Sequence, residues 1–305
     1  MVKPSIFGAL ALVLIAAAPA DTVPLIVPTS WLAEHIDDPA LVLLEVGEKD
    51  LYEAAHIPGA RFVAYGDFAA PRGDGLALEM PAPERMDSML EAKGISDGSK
   101  VVVYMSKDWV TPAARVVLAL EWAGLGGRVG VLAGGLPAWR AQGGAVTDAK
   151  PAVARGSVTV RPHPELLATA EQVRKGIGNS KFAIIDARDA GFYLDTIDNH
   201  MSRGGHIAGA KSIPYGSLTN EAGDTLKSVD ELRRIFRAAG ADPGDQVIVY
   251  CHIGQQGSWV RLVARHLGYD ARLYDGSFQE WSARPELPVE GASGQPRKAM
   301  EHGGD

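Results

Sequence analysis

An internal repeat is the feature that most constrains the fold of this chain. Residues 94–105 align without a gap with residues 240–251, at an offset of 146. A His-Ile-x-Gly-Ala loop starts at His56 and again at His206, and a glycine turn ending in tryptophan recurs at Trp139 and Trp281. Because three landmarks recur in the same order, we predict two copies of one domain.

Each copy alternates short apolar runs with stretches of helical spacing. Leu41–Val46 and Phe182–Asp186 are typical of buried strands, and each precedes one of the two histidine loops. Such alternation predicts an α/β fold in which each domain is a parallel sheet with helices on both faces. We place the first domain at 21–150 and the second at 151–290, with a linker around 148–162 and a loose tail at 291–305.

The first 20 residues have the pattern of a secretory signal peptide. Lys3 supplies the positive end, residues 6–15 are an unbroken apolar core, and Ala18-Pro19-Ala20 offers a cleavage site. The alternative is an uncleaved anchor, although 17 residues including a proline are short for a spanning helix. We therefore expect an exported protein, periplasmic or secreted, without stable insertion in a membrane after cleavage.

The composition excludes two classes of partner. The formal net charge is −7, and no basic stripe is visible along the chain. Nucleic acids and anionic membrane surfaces attract positively charged patches, so neither is expected to bind.

Cys251 is the only cysteine, and its position suggests a nucleophile. It follows the β-branched run at 247–249 and precedes Gly254, Gly257 and a helical pattern over 258–267. A thiol at the end of a strand and below a helix amino terminus has a lowered pKa and lies where anions bind. The alternative is that Cys251 is a small hydrophobic residue of the core without a chemical role. Metal binding is disfavoured, since there is no second cysteine and no histidine pair with ligand spacing.

The two copies differ at this position. Met105 stands where the second copy has Cys251, and Lys107-Asp108-Trp109-Val110 replaces the glycine-bearing turn. The first copy therefore lacks a nucleophile, and we expect it to supply packing or a wall of the site, because clefts often form between domains.

Together these motifs resemble the tandem-domain rhodaneses. The resemblance rests on the paired histidine loops, on Asp186-Ala187-Arg188, on the Cys-x-x-Gly turn in the second half only, and on the closing Tyr274-Asp275-Gly276-Ser277-Phe278-x-x-Trp281. It implies a thiosulfate or 3-mercaptopyruvate sulfurtransferase that carries sulfane sulfur as a persulfide on Cys251. It also implies a catalytically silent first domain and no cofactor.

The resemblance assigns roles to further residues. Arg188 would orient a small anionic donor, a role that suits a guanidinium, with a salt bridge as the alternative. Asp186 would fix the loop, and His206 and His56 would be structural hydrogen-bonding residues. The alternative for His56 is a position facing Cys251 across the cleft. Backbone N–H groups would hold the persulfide, and the residues expected to form this cradle are His252, Ile253, Gly254, Gln255, Gln256 and Gly257.

The choice of donor stays open at this stage. His252-Ile253-Gly254-Gln255-Gln256 matches neither the basic loop of the thiosulfate enzymes nor the small-residue loop of the mercaptopyruvate enzymes, with a slight preference for thiosulfate. The acceptor is expected to be cyanide or a thiol. A Cys-dependent phosphatase would need arginine six residues after the cysteine, where Gly257 stands. A module that binds or relays sulfur without turnover is the other alternative.

Overall fold

The computed structural model describes residues 22–71, 73, 75–107, 110–198, 200–220 and 225–291. The predicted signal peptide and residues 292–305 of the predicted tail lie outside these ranges. No helix in the described ranges is both long and apolar enough to cross a membrane.

The first half contains five strands and five helices among its described residues. In chain order these are β1 (Ile26–Val27), α1 (Thr29–His35), β2 (Leu41–Val46), α2 (Lys49–Ala54), β3 (Arg61–Val63), α3 (Pro83–Ala92), β4 (Lys100–Tyr104), α4 (Thr111–Leu120), β5 (Val129–Leu132) and α5 (Gly135–Ala141). A 3₁₀ turn at Tyr65–Phe68 follows β3, and a π-helical turn at Glu121–Leu125 follows α4.

The second half repeats this series. Its elements are β6 (Leu167–Ala168), α6 (Ala170–Gly176), β7 (Phe182–Asp186), α7 (Ala190–Tyr193), β8 (His206–Ile207), β9 (Lys211–Ser212), α8 (Val229–Ala238), β10 (Gln246–Tyr250), α9 (Gln255–His266), β11 (Asp270–Tyr274), α10 (Ser277–Ala283) and β12 (Val289–Glu290). A 3₁₀ turn at Pro164–Leu166 precedes β6, and another at Tyr215–Leu218 follows β9.

The two five-stranded sheets have the same topology. The first has the order β1-β5-β4-β2-β3 and the second β6-β11-β10-β7-β9, and every pairing within them is parallel. The small β8–β12 pair is antiparallel. β10 lies centrally between β7 and β11, with Val247 paired to Ala183 and Ala271. Val247 and Val249 pack in one buried cluster and Ile248 and Tyr250 in another, so both faces of β10 are covered and its apolar run is continuous. The predicted α/β fold with two parallel sheets is confirmed.

The two domains share one hydrophobic core through α4 and α9. Val116 and Val117 of α4 belong to the same buried cluster as Val260 and Val263 of α9. Two buried arginines at equivalent positions, 146 residues apart, also cross the interface. Arg115 pairs with Asp275, and Arg261 pairs with Glu121. Helix packing and paired charges together hold the domains in one arrangement.

The segment between the domains runs along the first one. Gly156 N donates to Glu91 O at 2.9 Å, and Arg161 N donates to Ala123 O at 3.0 Å. Val158 and Val160 of this segment are buried. The linker has no helix or strand over 148–162. Its backbone is nevertheless held against the first domain by these hydrogen bonds and buried side chains.

The start of α9 differs from expectation. The helix begins at Gln255, three residues before the predicted start, with Gly254 at the N-cap in the left-handed region at φ +92°. Gly257 lies inside the helix, and a Cβ there would come within 2.8 Å of Leu273 Cδ1 and 3.3 Å of the Tyr250 carbonyl carbon. Gly257 thus permits close packing of the helix on the sheet, and only Gly254 makes the turn.

Candidate active site

Cys251 lies at the carboxyl end of β10, in a loop held at both ends. Its side chain is 1% exposed, and its Sγ accepts a hydrogen bond from Gly254 N at 3.2 Å. Its backbone N donates to Ser277 Oγ at 3.2 Å, and Phe278 N donates to Cys251 O at 3.0 Å. The thiol is therefore fixed by the glycine turn on one side and by the start of α10 on the other.

The first turn of α9 adds hydrogen-bond donors to this loop. The N–H groups of a helix's first turn have no partner within the helix, and the macrodipole places partial positive charge there. In α9 these groups belong to Gln255, Gln256 and Gly257. A negative charge on Cys251, or on a sulfur atom bound to it, would be stabilised in this position.

A cavity of about 300 Å³ opens onto the thiol. It is lined by Thr111, Tyr215, Cys251, His252, Ile253, Gln255 and Gln256. Thr111 belongs to the first domain, and its Oγ1 accepts a hydrogen bond from Gln255 Nε2 at 3.1 Å. The first domain thus supplies a wall of the cavity.

A larger groove of about 650 Å³ adjoins this cavity and shares Ile253 and Gln255 with it. The first domain contributes Tyr65 and Leu76 to the groove, and the second contributes Gln279. The Tyr65 hydroxyl is buried and has no hydrogen-bond partner among the described residues. Burial raises the pKa of this hydroxyl, so Tyr65 is a neutral donor available to a bound molecule.

His252 contributes hydrogen-bonding capacity but no fixed charge. Its ring packs edge-on against Phe192, with the centroids 4.6 Å apart. Burial, and then the positive charge of Arg188, lower the pKa of His252 below its usual value. The side chain that follows Cys251 is therefore a neutral imidazole near pH 7.

Arg188 was expected to orient the donor, but the structure does not bring its side chain to the cavity. Its side chain is 0% exposed, and its Nε and Nη2 donate to both carboxylate oxygens of Asp186 at 2.6 to 3.1 Å. Nη2 also donates to Gly205 O at 2.8 Å, and the Phe278 ring lies 4.1 Å from the guanidinium carbon. This placement fits the alternative, a salt bridge, and the bridge is buried within the second domain. Nη1 alone has no partner among the described residues.

Asp186 organises the strand ends around it. Besides Arg188, it accepts a hydrogen bond from the Tyr250 hydroxyl at 2.6 Å, and that hydroxyl accepts from Ile207 N at 3.1 Å. The carboxylate therefore connects β7, β10 and the second histidine loop, as a group that fixes the loop would.

The two loop histidines are packed alike, each within its own half. His206 stacks on Tyr193 at 3.8 Å between centroids, and its Nδ1 lies 2.9 Å from Tyr193 O. His56 stacks on Tyr52 at 4.0 Å, is 0% exposed, and has its ring nitrogens 2.8 and 3.2 Å from the carbonyl oxygens of Tyr52 and Ala149. The suggestion that His56 faces Cys251 is wrong, because stacking and these contacts turn the ring into its own domain.

Several residues near the thiol were missed by the sequence reasoning, namely Thr111, Tyr215, Tyr65, Arg115 and Asp275. Tyr65 and Tyr215 are 150 residues apart, the same offset as the two loop histidines. Extending the repeat alignment beyond the histidine loops would have found this pair. As for metals, no three His, Cys, Asp or Glu side chains in the described part of the chain lie close enough to hold an ion.

Comparisons with known proteins agree with this architecture. The sequence matches the Rhodanese-like domain twice, over residues 28–142 and 169–284. A putative thiosulfate sulfurtransferase of Synechococcus elongatus is 32% identical over 285 residues, covering 90% of this chain and 87% of the relative. The sulfur carrier protein TtuD of Thermus thermophilus is 30% identical over 282 residues, covering 87% and 95%.

A solved structure shows the same fold. The crystal structure of SseA from Escherichia coli, described as a 3-mercaptopyruvate sulfotransferase with the rhodanese fold, superposes with a TM-score of 0.72 at 28% identity. The match covers 84% of this chain and 99% of SseA. The chain therefore belongs to the rhodanese family, as two rhodanese-like domains in tandem, and its relatives support a sulfurtransferase.

Proposed function

We propose that the protein moves sulfane sulfur from a small anionic donor to a thiophilic acceptor through a persulfide on Cys251. The observation that carries this proposal is the setting of the single cysteine. Its Sγ lies 3.2 Å from Gly254 N, at the amino end of α9, and it opens into a cavity walled by both domains. The first domain supplies a wall of the cavity but no nucleophile, since Met105 stands at the position of Cys251.

The reaction needs two displacements at sulfur. The Cys251 thiolate attacks the outer sulfur of thiosulfate, the S–S bond breaks, and sulfite leaves with the bonding electron pair. With 3-mercaptopyruvate it attacks the thiol sulfur, the C–S bond breaks, and pyruvate leaves as its enolate, which then takes up a proton. Cyanide or a thiolate then attacks the outer sulfur of the persulfide, and the Cys251 thiolate leaves. Both steps form and release anionic sulfur, which the N–H groups of the glycine turn and the first turn of α9 would stabilise.

We favour thiosulfate as the donor over 3-mercaptopyruvate. The side chains that line the thiol cavity carry amide, hydroxyl and imidazole groups, and the positive end of α9 supplies the attraction for an anion. A compact sulfonate can accept several such N–H bonds without an arginine fork. The relatives named above include both a thiosulfate and a 3-mercaptopyruvate enzyme, so donor preference is a question for kinetics.

The leader at residues 1–20 further suggests that the reaction takes place after export, in the periplasm or outside the cell.

A relay of sulfur to a protein partner is the second candidate. The Thermus relative is named a sulfur carrier protein, and the groove of about 650 Å³ beside the thiol is larger than cyanide or a small thiol requires. In this function the persulfide would form on Cys251 in the same way, but small acceptors would remove its sulfur slowly.

Intact-mass measurement tests the proposal directly. The mature protein, reduced beforehand and then freed of reductant, is expected to gain about 32 Da on Cys251 when offered thiosulfate or 3-mercaptopyruvate, the mass of one sulfur atom. The Cys251→Ser variant should gain nothing. Rapid thiocyanate formation from the loaded protein and cyanide indicates the enzyme, whereas a stable mass gain with slow cyanolysis indicates the carrier. An unchanged mass with both donors contradicts the enzyme and the carrier alike.

A further inference from the structure

Arg115 reaches from the silent domain into the site of the other domain. It lies on α4, its side chain is 1% exposed, and its Nη1 pairs with Asp275 Oδ1 at 2.5 Å. Its Nη2 donates to Leu78 O, in the wall of the groove, and Leu78 has the unusual φ of +61°. One buried guanidinium therefore connects the first domain's groove wall with the strand end beside the Cys251 loop.

Gly254 lies between this arginine and the thiol. A Cβ at Gly254 would come within 3.3 Å of Arg115 Nη1 and 3.1 Å of Asp275 Oδ1, while Gly254 N donates to Cys251 Sγ at 3.2 Å. Since N and Cβ of one residue are about 2.5 Å apart, Nη1 lies within about 9 Å of Sγ. At that distance and away from bulk water, a unit charge interacts appreciably with a thiolate.

We propose that Arg115 is a positioning residue of the Cys251 site, whose buried positive charge stabilises the thiolate and the persulfide from across the domain interface. The second of these roles rests on the proposed function. The first does not, because the thiolate can be measured without any sulfur donor. In this view the silent domain contributes charge as well as a wall.

Arg188 is the other buried cation near Cys251, since a negative charge on Cys251 raises the pKa of Arg188 as well as that of Arg115. Arg188 is held by both carboxylate oxygens of Asp186. Burial lowers the pKa of His252 and raises the pKa of the Tyr65 and Tyr250 hydroxyls, so all three side chains are neutral near pH 7. Asp275 opposes Arg115, but its side chain is 16% exposed and contacts one guanidinium nitrogen, so water screens the carboxylate more than the guanidinium. On this account the guanidinium outweighs the carboxylate at Cys251, although Asp275 Oδ1 lies as close to Gly254 as Arg115 Nη1 does.

The ionisation of Arg115 is secure in this environment. Burial alone would lower its pKa, but the negative charge of Asp275 and the hydrogen bond to it outweigh that effect, and the pKa is raised. Its Nε has no hydrogen-bond partner in the described part of the chain. The guanidinium is thus charged and only partly neutralised by direct contacts.

The repeat supplies a matched control. Arg261 occupies the equivalent position on α9, is 1% exposed like Arg115, and also forms a salt bridge across the interface, with Glu121 at 2.9 Å. A substitution at Arg261 removes a buried interdomain charge without touching Asp275 or Gly254. Substitution of either arginine should lower the stability by a comparable amount. The pH dependence of Cys251 reactivity is therefore the property that distinguishes the two variants.

The test is the rate of iodoacetamide alkylation of Cys251 as a function of pH, in the full chain without donor, alongside Tm. For Arg115→Met we expect the midpoint of the rate profile to rise by about one pH unit. Arg115→Lys should restore part of the shift. Arg261→Met should lower Tm while leaving the midpoint in place.

The Asp275→Asn variant separates the effect of charge on Cys251 from the effect of a loosened domain interface. Both Arg115→Met and Asp275→Asn break the same salt bridge, but removing the carboxylate strengthens the positive field, so the midpoint should fall. Shifts of opposite sign support the proposal. It is overturned by an unmoved midpoint in Arg115→Met, by equal shifts in Arg115→Met and Arg261→Met, or by a rise in Asp275→Asn. If Arg115→Met does not fold, the sign of the Asp275→Asn shift decides alone.

Discussion

Two glycines at opposite ends of α9 offer a sharp test of how the Cys251 loop is held. Gly254, before the helix, and Gly268, after it, both have φ +92°, in the left-handed region that L-residues avoid. A Cβ at Gly268 meets nothing within 4 Å, whereas a Cβ at Gly254 meets Asp275 Oδ1 at 3.1 Å, Arg115 Nη1 at 3.3 Å and the Asp275 carbonyl oxygen at 3.3 Å. Alanine therefore brings the same backbone strain at both sites and crowding at only one.

The magnitudes follow from these contacts. The left-handed conformation costs an L-residue roughly 1–2 kcal/mol, so Gly268→Ala should lower the free energy of unfolding by about that amount. Crowding in a packed region adds about 1–3 kcal/mol, because the ion pair or the loop backbone must move. Gly254→Ala should therefore cost about 2–5 kcal/mol. Its N–H should also shift away from Cys251 Sγ.

Urea unfolding and sulfur transfer measured on both variants decide the matter. Gly268→Ala should keep the kcat/KM of the parent protein, and Gly254→Ala should lose both stability and most of its transfer rate. Equal losses of stability in the two variants, or full transfer activity in Gly254→Ala, would show that the ion pair does not press on the glycine turn and that the turn is not held as described.

Three further predictions concern single side chains. Arg188→Ala should lower the free energy of unfolding by about 3–5 kcal/mol, because it leaves Asp186 buried and unpaired; normal stability with a raised KM for the donor in steady-state kinetics would instead return Arg188 to the substrate site. Met105→Cys in a Cys251→Ser background should gain no sulfur by intact mass, because five residues separate Met105 from α4 where three separate Cys251 from α9; a 32 Da gain, about one sulfur atom, would reveal a working cradle there. Burial lowers the pKa of His252 and of His206 from 6.5, so stability present above pH 6.5 should be lost as pH falls and both rings must take up protons; the urea midpoint from pH 7.5 to about 5.5 should fall less steeply in His252→Gln, and identical slopes would refute this.

The fold was predictable because its signals are local and repeated. β2 and β7 have the bounds expected from their apolar runs, since a strand covered on both faces selects β-branched and aliphatic residues along its whole length. The start of α9 was misplaced because Gly257 resembles a turn residue. Position 257 requires a glycine because Leu273 of β11 and Tyr250 of β10 come close to its backbone. These contacts depend on how the helix packs on the sheet, and no local pattern in the sequence shows them.

The site was predictable only in part, for a related reason. Sequence position placed Arg188 at the correct edge of the sheet, but the direction of its side chain depends on Asp186, two residues earlier, which holds Nε and Nη2 together. The contacts of Thr111 and Arg115 depend on how the domains pack against each other. Periodicity within one domain carries no information about that arrangement.

The duplicated halves have diverged in charge as well as in the nucleophile. Arginine stands at both equivalent positions, 115 and 261, yet the acidic partners of the two arginines are not equivalent. In the alignment that pairs Trp139 with Trp281, Asp275 corresponds to Ala133. In the alignment that pairs Met105 with Cys251, Glu121 corresponds to Leu267. Asp275 thus draws Arg115 toward the half that contains Cys251, whereas Glu121 holds Arg261 at the far end of α4, together with Arg265. Since a charge stabilises a thiolate only when it lies nearby and away from water, this asymmetry is what the role proposed for Arg115 requires. Of the two equivalent arginines, the one in the domain without the cysteine lies beside the Cys251 loop.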